Sequence, residues 1–121
     1  EVANTHGGDF SYLEELIDEF SVFREGYGIK FQPLHPDKLA TNDFEWHSVY
    51  QELLFRPEQW KKIILKAKET KDVWVDIFDE YGVQILKENI SDIFGVKLQV
   101  SVLFNRGVLS ELYLSVLKLP F

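Results

Sequence analysis

The sequence predicts an α/β fold of parallel βα units, arranged as half of a TIM (β/α)8 barrel in a single partial domain, residues 1–121. Three observations carry that expectation. Strand-like and helix-like segments alternate along the chain, the pattern of parallel strands joined by right-handed crossovers. Four units take about 30 residues each, so eight would need roughly 240, near the usual barrel size. The chain opens at Glu1 without a methionine and stops at Pro120-Phe121, where a fifth strand is due. That reads as a cut barrel. An open flavodoxin-like sheet, usually five-stranded, is the other architecture that fits.

The first strand is expected over Glu1–Thr5, closed by the turn signal His6-Gly7-Gly8. Asp9 is placed to cap a helix whose apolar residues Phe10, Leu13, Leu16, Ile17 and Phe20 share one face. Gly26 and Gly28 end that region, and Ile29–Gln32 reads as the second strand, stopped by Pro33 and Pro36. Residues 33–46 form the longest irregular stretch, of the kind that is functional or mobile. Trp46–Phe55 is ambiguous between a short helix and an extended run. Pro57 suits the first position of a helix over Pro57–Glu69 that buries Trp60, Ile63, Ile64 and Ala67. Val73–Phe78 has a buried-strand pattern and a helix follows near Glu80–Asn89. Val96–Val102 alternates as the fourth strand, and a last helix is expected over Leu109–Lys118, before Pro120.

Composition narrows the class. Hydrophobic residues reach 45%, enough for a packed core rather than a disordered tail. There is no cysteine, which excludes disulfides, thiolate zinc sites and cysteine nucleophiles. Twenty acidic residues against thirteen basic give a net charge of −7, opposite to a nucleic-acid footprint. No apolar run approaches the ~18–20 residues of a membrane span, and no signal-peptide pattern opens the chain. No nucleic-acid or membrane partner is expected, and the expected location is cytoplasmic.

Strand alternation then makes a specific statement. Side chains at i and i+2 share a face. Glu1, Ala3 and Thr5 form one set; Lys30 and Gln32 a second; Trp74, Asp76 and Phe78 a third; Lys97, Gln99 and Ser101 a fourth. Strands covered on both sides should be almost wholly apolar, and a buried lysine is costly unless paired or wetted. A barrel mouth offers both, and barrel enzymes place catalytic groups at strand carboxyl ends. Two readings stand: a functional charge row, or internal charge compensation with Lys97 reaching outward.

The other signals are local. His6 lies on a strand-to-helix loop, where function concentrates, or is a turn residue bonded to nearby backbone. His35 reads as an ordinary loop histidine and His47 as surface or packing. No histidine pair has metal-ligand spacing. Gly7-Gly8 before a helix lacks the full dinucleotide fingerprint, and Asp9 would oppose an anion there. No nucleophile elbow is present.

Three segments resemble one known family. Glu1-Val2-Ala3-Asn4-Thr5-His6-Gly7-Gly8 is similar to the "Glu-Ile-Gly-x-Asn-His-x-Gly" opening of the sialic acid synthases. Gly28-Ile29-Lys30-Phe31-Gln32 resembles their second-strand "Val-Lys-Phe-Gln". Val96-Lys97-Leu98-Gln99-Val100-Ser101 resembles the fourth-strand "Tyr-Lys-Ile-x-Ser". The matches run in order over nearly the whole chain, but over only the first half of the family's barrel.

The resemblance implies a transferase that condenses phosphoenolpyruvate with an N-acyl hexosamine such as N-acetylmannosamine, giving a nonulosonic acid and phosphate for surface polysaccharide synthesis. Carbon 3 of phosphoenolpyruvate attacks the open-chain aldehyde, water adds at carbon 2, and phosphate leaves. It further implies a divalent metal, manganese or magnesium, held by histidines outside this chain. A homodimer of the full-length protein is implied as well. Carried over by position, Lys30 and Lys97 meet the carboxylate or phosphate, and Glu1 meets the sugar. Gln32, Gln99 and His6 shape the site, and Ser101 offers a hydroxyl to phosphate.

There are departures. Thr5 replaces the family's asparagine, and in strict register Val100 and Val102 replace its serine and carboxylate. Asp76 stands where threonine or serine is usual and is a candidate compensation. The antifreeze-like domain of many members is absent. The 121 residues alone are expected to be inactive, with open sheet edges. The alternatives are a non-catalytic binding or assembly module on a degenerate synthase fold, and a flavodoxin-like or receiver-like domain.

Overall fold

The computed structural model describes residues 1–23 and 26–116. Among them are six α-helices and a three-stranded, wholly parallel sheet. The order is α1 (Phe10–Phe20), β1 (Gly28–Phe31), α2 (Pro36–Leu39), α3 (His47–Glu52), α4 (Pro57–Lys68), β2 (Asp72–Ile77), α5 (Glu80–Glu88), β3 (Gly95–Leu98) and α6 (Arg106–Val116). Short 3-10 turns span Ile90–Asp92 and Val100–Phe104. The predicted extension of the last helix to Lys118, and Pro120, lie outside the described residues.

Local chemistry sets the helix starts. Asp9 accepts a hydrogen bond from Tyr12 N at 3.0 Å, which satisfies one of the free amides of the first turn of α1. Pro57 occupies the first turn of α4, where its missing N–H costs nothing. Asp79 Oδ1 accepts from Gly82 N at 2.9 Å and starts α5. The predicted face of α4 is the buried one: Trp60, Ile63, Ile64 and Ala67. The ambiguous segment resolves as the short helix α3, and a further turn of helix, α2, sits inside the long irregular stretch.

The strands are neighbours in sequence order, β1-β2-β3. Their registers pair Lys30 with Trp74 and Asp76 with Lys97. An open flavodoxin-like sheet would instead place its first strand between the second and third. The N-terminal segment lies on the outer side of β1, but not as the predicted strand. Its ladder consists of one bridge, Ala3 to Phe31, and one further bond from Val2 N to Lys30 O at 3.2 Å. Ala3 has φ +51°, and Thr5 folds back to bond Val2 O through N and Oγ1. A left-handed residue interrupts the pleat, so Glu1, Ala3 and Thr5 do not form a strand face.

The fourth predicted strand is also shorter than expected. It ends at Leu98, and Val100–Phe104 coils into a 3-10 turn. Val102 is thereby buried in the core while Val100 is 73% exposed.

Helices α1, α4, α5 and α6 pack against one face of the sheet. One apolar cluster joins Leu13, Ile17, Trp60, Ile63 and Ile64 to Ile29, Phe31 and Val73. A second joins Val83, Leu86, Val102, Val108 and Leu112 to Val75 and Ile77. Residues 29, 31, 73, 75 and 77 all lie on that face by alternation. On the other face Trp74 lies across the space left by two glycines. A Cβ on Gly28 would come within 2.9 Å of its ring, and one on Gly95 within 2.5 Å.

Candidate functional site

The face opposite the helices carries the charges. Asp76, near the carboxyl end of the central strand β2, has no exposed surface. Its Oδ2 accepts from Gln99 Nε2 at 2.7 Å, Gln32 Nε2 at 3.3 Å and Lys97 Nζ at 3.3 Å, and Lys30 Nζ stands 3.9 Å away. Lys30 also pairs with Glu1 Oε2 at 3.1 Å, and Gln32 Nε2 donates to Glu1 Oε1 at 2.8 Å. Asp76 Oδ1 is buried and has no partner among the described residues.

Six of the eight residues singled out from the sequence therefore form one network: Glu1, Lys30, Gln32, Asp76, Lys97 and Gln99. They converge because parallel strands in register bring their carboxyl ends to one edge of the sheet. The two carboxylates balance the two ammonium groups. Hydrogen bonding to Asp76 raises the Lys97 ammonium above the usual lysine range. The bond from Lys30 holds Glu1 below the usual carboxylate range. The Lys97 side chain is 49% exposed against 20% for Lys30, so Lys97 is the cation that solvent, or a ligand, reaches.

The other two residues lie elsewhere. Ser101 is exposed on the 3-10 turn and makes no bond to the network, because the strand that would have aligned it with Lys97 and Gln99 has ended. His6 is 2% exposed, with its ring 4.7 Å from that of Phe55. Its Nδ1 accepts from Gly8 N at 3.0 Å, so a neutral ring carries its proton on Nε2. That Nε2 is buried with no partner among the described residues, and burial lowers the imidazole pKa. The Gly8 amide is thus committed to His6 and the helix start to Asp9, which leaves no anion cradle at Gly7-Gly8.

Two interactions went unread in the sequence. Asn4 Nδ2 donates to Gln32 Oε1 at 3.2 Å, orienting the amide that reaches both carboxylates. Strand alternation could not find it, because Asn4 sits in a turn. Asp79, 2% exposed, accepts from His35 N at 2.8 Å and ties the loop after β1 to the end of β2. Burial raises its pKa, against the bonds from His35, Gly82 and Tyr81 that lower it. Of the two readings of His47, surface or packing, the structure gives packing: it is 6% exposed and bonds Asp37 Oδ1 at 2.9 Å.

Among the described residues no group of three His, Cys, Asp or Glu side chains could hold a metal ion, and no helix is long and apolar enough to cross a membrane. No protein-family model and no curated protein matches the chain. Among solved structures, the fold is similar to the crystal structure of spore coat polysaccharide biosynthesis protein E from Chromobacterium violaceum. The TM-score is 0.73 at 21% identity, over 90% of this chain and 35% of that one. The chain thus has the fold of a little more than a third of that larger protein, an arrangement of parallel βα units.

Proposed function

We propose that this chain is the first half of a sialic acid synthase-like (β/α)8 barrel. The whole protein would condense phosphoenolpyruvate with an N-acyl hexosamine in surface polysaccharide biosynthesis. The observation that carries the reading is the placement of Lys30 and Lys97 on adjacent sides of Asp76, at strand carboxyl ends, on the sheet face opposite α1, α4, α5 and α6. In a barrel that face is the interior and that end is the mouth. The sequential strand order and the likeness to a polysaccharide biosynthesis protein support it further.

In this reading Lys97 is the cation that turns to an arriving carboxylate or phosphate, since its ammonium is the most accessible of the network. Lys30 stays with Glu1 and supplies the second positive charge. Gln32 and Gln99 present polar atoms to the sugar, and the buried Asp76 carboxylate holds both amides and Lys97 in place. Charge development on the transferring groups is what preorganised cations stabilise. The divalent ion of the proposal would take its ligands from histidines outside this chain. None of these roles depends on it.

The test follows phosphate release from phosphoenolpyruvate by the full-length protein, with manganese and a panel of N-acyl hexosamines, beside Lys97→Ala. Release that requires a sugar and collapses in the variant supports the reading. No release with any sugar, together with no phosphoenolpyruvate binding by calorimetry, sinks it. One pair of observations favours the non-catalytic binding module instead: each charge of the network is already balanced within the chain, and Val102, at the family's carboxylate position, is core. The failed assay would leave that module as the reading.

A further inference from the structure

The long stretch after β1 holds two adjoining open hollows, one mostly polar and one of mixed lining. One, of about 570 Å³, is lined by Asp37, Asn42, Phe44, His47, Ser48 and Gln51. The other, of about 610 Å³, runs along residues 37–43. Asp37 and Asn42 line both, so the two are subsites of one groove. Both are wide open to solvent, shallow surface hollows rather than enclosed clefts. None of these residues belongs to the Asp76 network.

The groove is held in shape. His47 Nε2 bonds Asp37 Oδ1 at 2.9 Å, which fastens α2 to α3. Phe44 N bonds Thr41 O at 2.9 Å and His47 N bonds Phe44 O at 3.0 Å, fixing the turn between them. Phe44 is 43% exposed and stacks on Tyr50 with ring centroids 6.2 Å apart. A supported aromatic ring thus lines a hollow otherwise made of amide, hydroxyl, imidazole and carboxylate groups.

That chemistry selects a ligand class. Asp37 and Asp43 outnumber the single Lys38, and a hydrogen bond from Thr41 keeps the Asp43 carboxyl below its usual range, so phosphates and nucleic acids are repelled. Amides and hydroxyls both donate and accept, as do the hydroxyls of a neutral sugar. An exposed aromatic face packs on the apolar C–H side of a pyranose ring. We infer that this groove is a binding site for a neutral saccharide of at least two sugar units, seated on Phe44 and oriented by Asp37, Asn42, Ser48 and Gln51.

The experiment is saturation-transfer difference NMR on the full-length protein with cellobiose, mannobiose and chitobiose. The expected result is transfer from the protein to at least one disaccharide, with affinity at least tenfold weaker in Phe44→Ala and in Asn42→Ala, and unchanged in Lys97→Ala. Asn42→Ala keeps the test open if Phe44→Ala does not fold. No transfer to any of the three, or wild-type affinity in folded variants of both positions, overturns the inference. Because Lys97 is outside the groove, loss of phosphoenolpyruvate turnover and loss of saccharide binding are separable results.

Discussion

Replacing Asp76 by alanine asks whether one buried carboxylate holds the carboxyl end of the sheet together. The change removes the acceptor for Gln99 at 2.7 Å and for Gln32 and Lys97 at 3.3 Å. Deleting one partner of a buried ion pair costs about 3–5 kcal/mol. The lower end, about 3 kcal/mol, applies here. Lys30 keeps Glu1 at 3.1 Å, and half of the Lys97 side chain already meets water. With a urea m-value near 2 kcal/mol/M, the unfolding midpoint falls by about 1.5 M. The assay is urea unfolding of the full-length protein followed by tryptophan fluorescence. A shift under about 0.3 M, the size of an ordinary surface substitution, would refute the reasoning.

A companion variant separates structure from function. Asp76→Leu combined with Lys30→Met and Lys97→Met replaces the buried carboxylate and its two lysine partners by apolar groups of similar length. Such replacements are often neutral or stabilising, because the desolvation of the ions is relieved along with their attraction. Recovery of the midpoint with loss of phosphoenolpyruvate binding would assign the charges to ligand recognition. The three positions share partners, so their effects will not add.

Two further outcomes follow from the first loop. Burial lowers the His6 pKa from its reference of 6.5, so below that value the unfolded chain binds more protons than the folded one. Stability from this group is complete above the unfolded pKa and is lost as pH falls through it. The urea midpoint should therefore drop between about pH 7.5 and 5.5, and His6→Asn should flatten the slope; equal slopes would exclude His6 as its source. Gly8 has φ +83°, and a Cβ there would lie 2.0 Å from Glu52 O at the end of α3. Gly8→Ala should cost more than about 3 kcal/mol, against about 1 kcal/mol for Gly7→Ala, which has φ +57° and open space. A Gly8→Ala midpoint equal to wild type would show that α3 is not seated on the first loop.

What was legible in the sequence divides by range. The faces of α1 and α4, the cap Asp9 and the first-turn Pro57 rest on contacts a few residues apart, and local sequence shows them directly. The polar faces of β1, β2 and β3 were legible because alternation is a local property, and they met because the strands are parallel and in register. Glu1 reaches the network although its strand does not form, since the reach of a glutamate tolerates a left-handed residue two positions on. Ser101 did not follow Lys97 and Gln99, because alternation cannot show where a strand stops. Val102 buries itself between α5 and α6, and that tertiary demand turns the chain into a 3-10 coil. The His47–Asp37 bond joins short helices inside a stretch without periodicity, where no local signal existed.

The register also explains how the network keeps its charge balance. Position 102 supplies no charge, since Val102 completes an apolar cluster. The balancing carboxylate is Asp76, the cross-strand partner of Lys97, on the strand next to Lys30. A carboxylate on the central strand touches lysines from both neighbours, which a residue beyond the end of β3 would not do as directly. The set is neutral, with two acids and two bases, so an anionic ligand must compete with Asp76 or Glu1 for a lysine. Lys97 is the lysine whose partner is also held by two amides, from Gln32 and Gln99. Asp76 would therefore keep hydrogen-bond donors when Lys97 turns away, and the exchange would leave no carboxylate stranded. That asymmetry makes Lys97→Ala the more informative single change for ligand binding and Asp76→Ala the more informative one for stability.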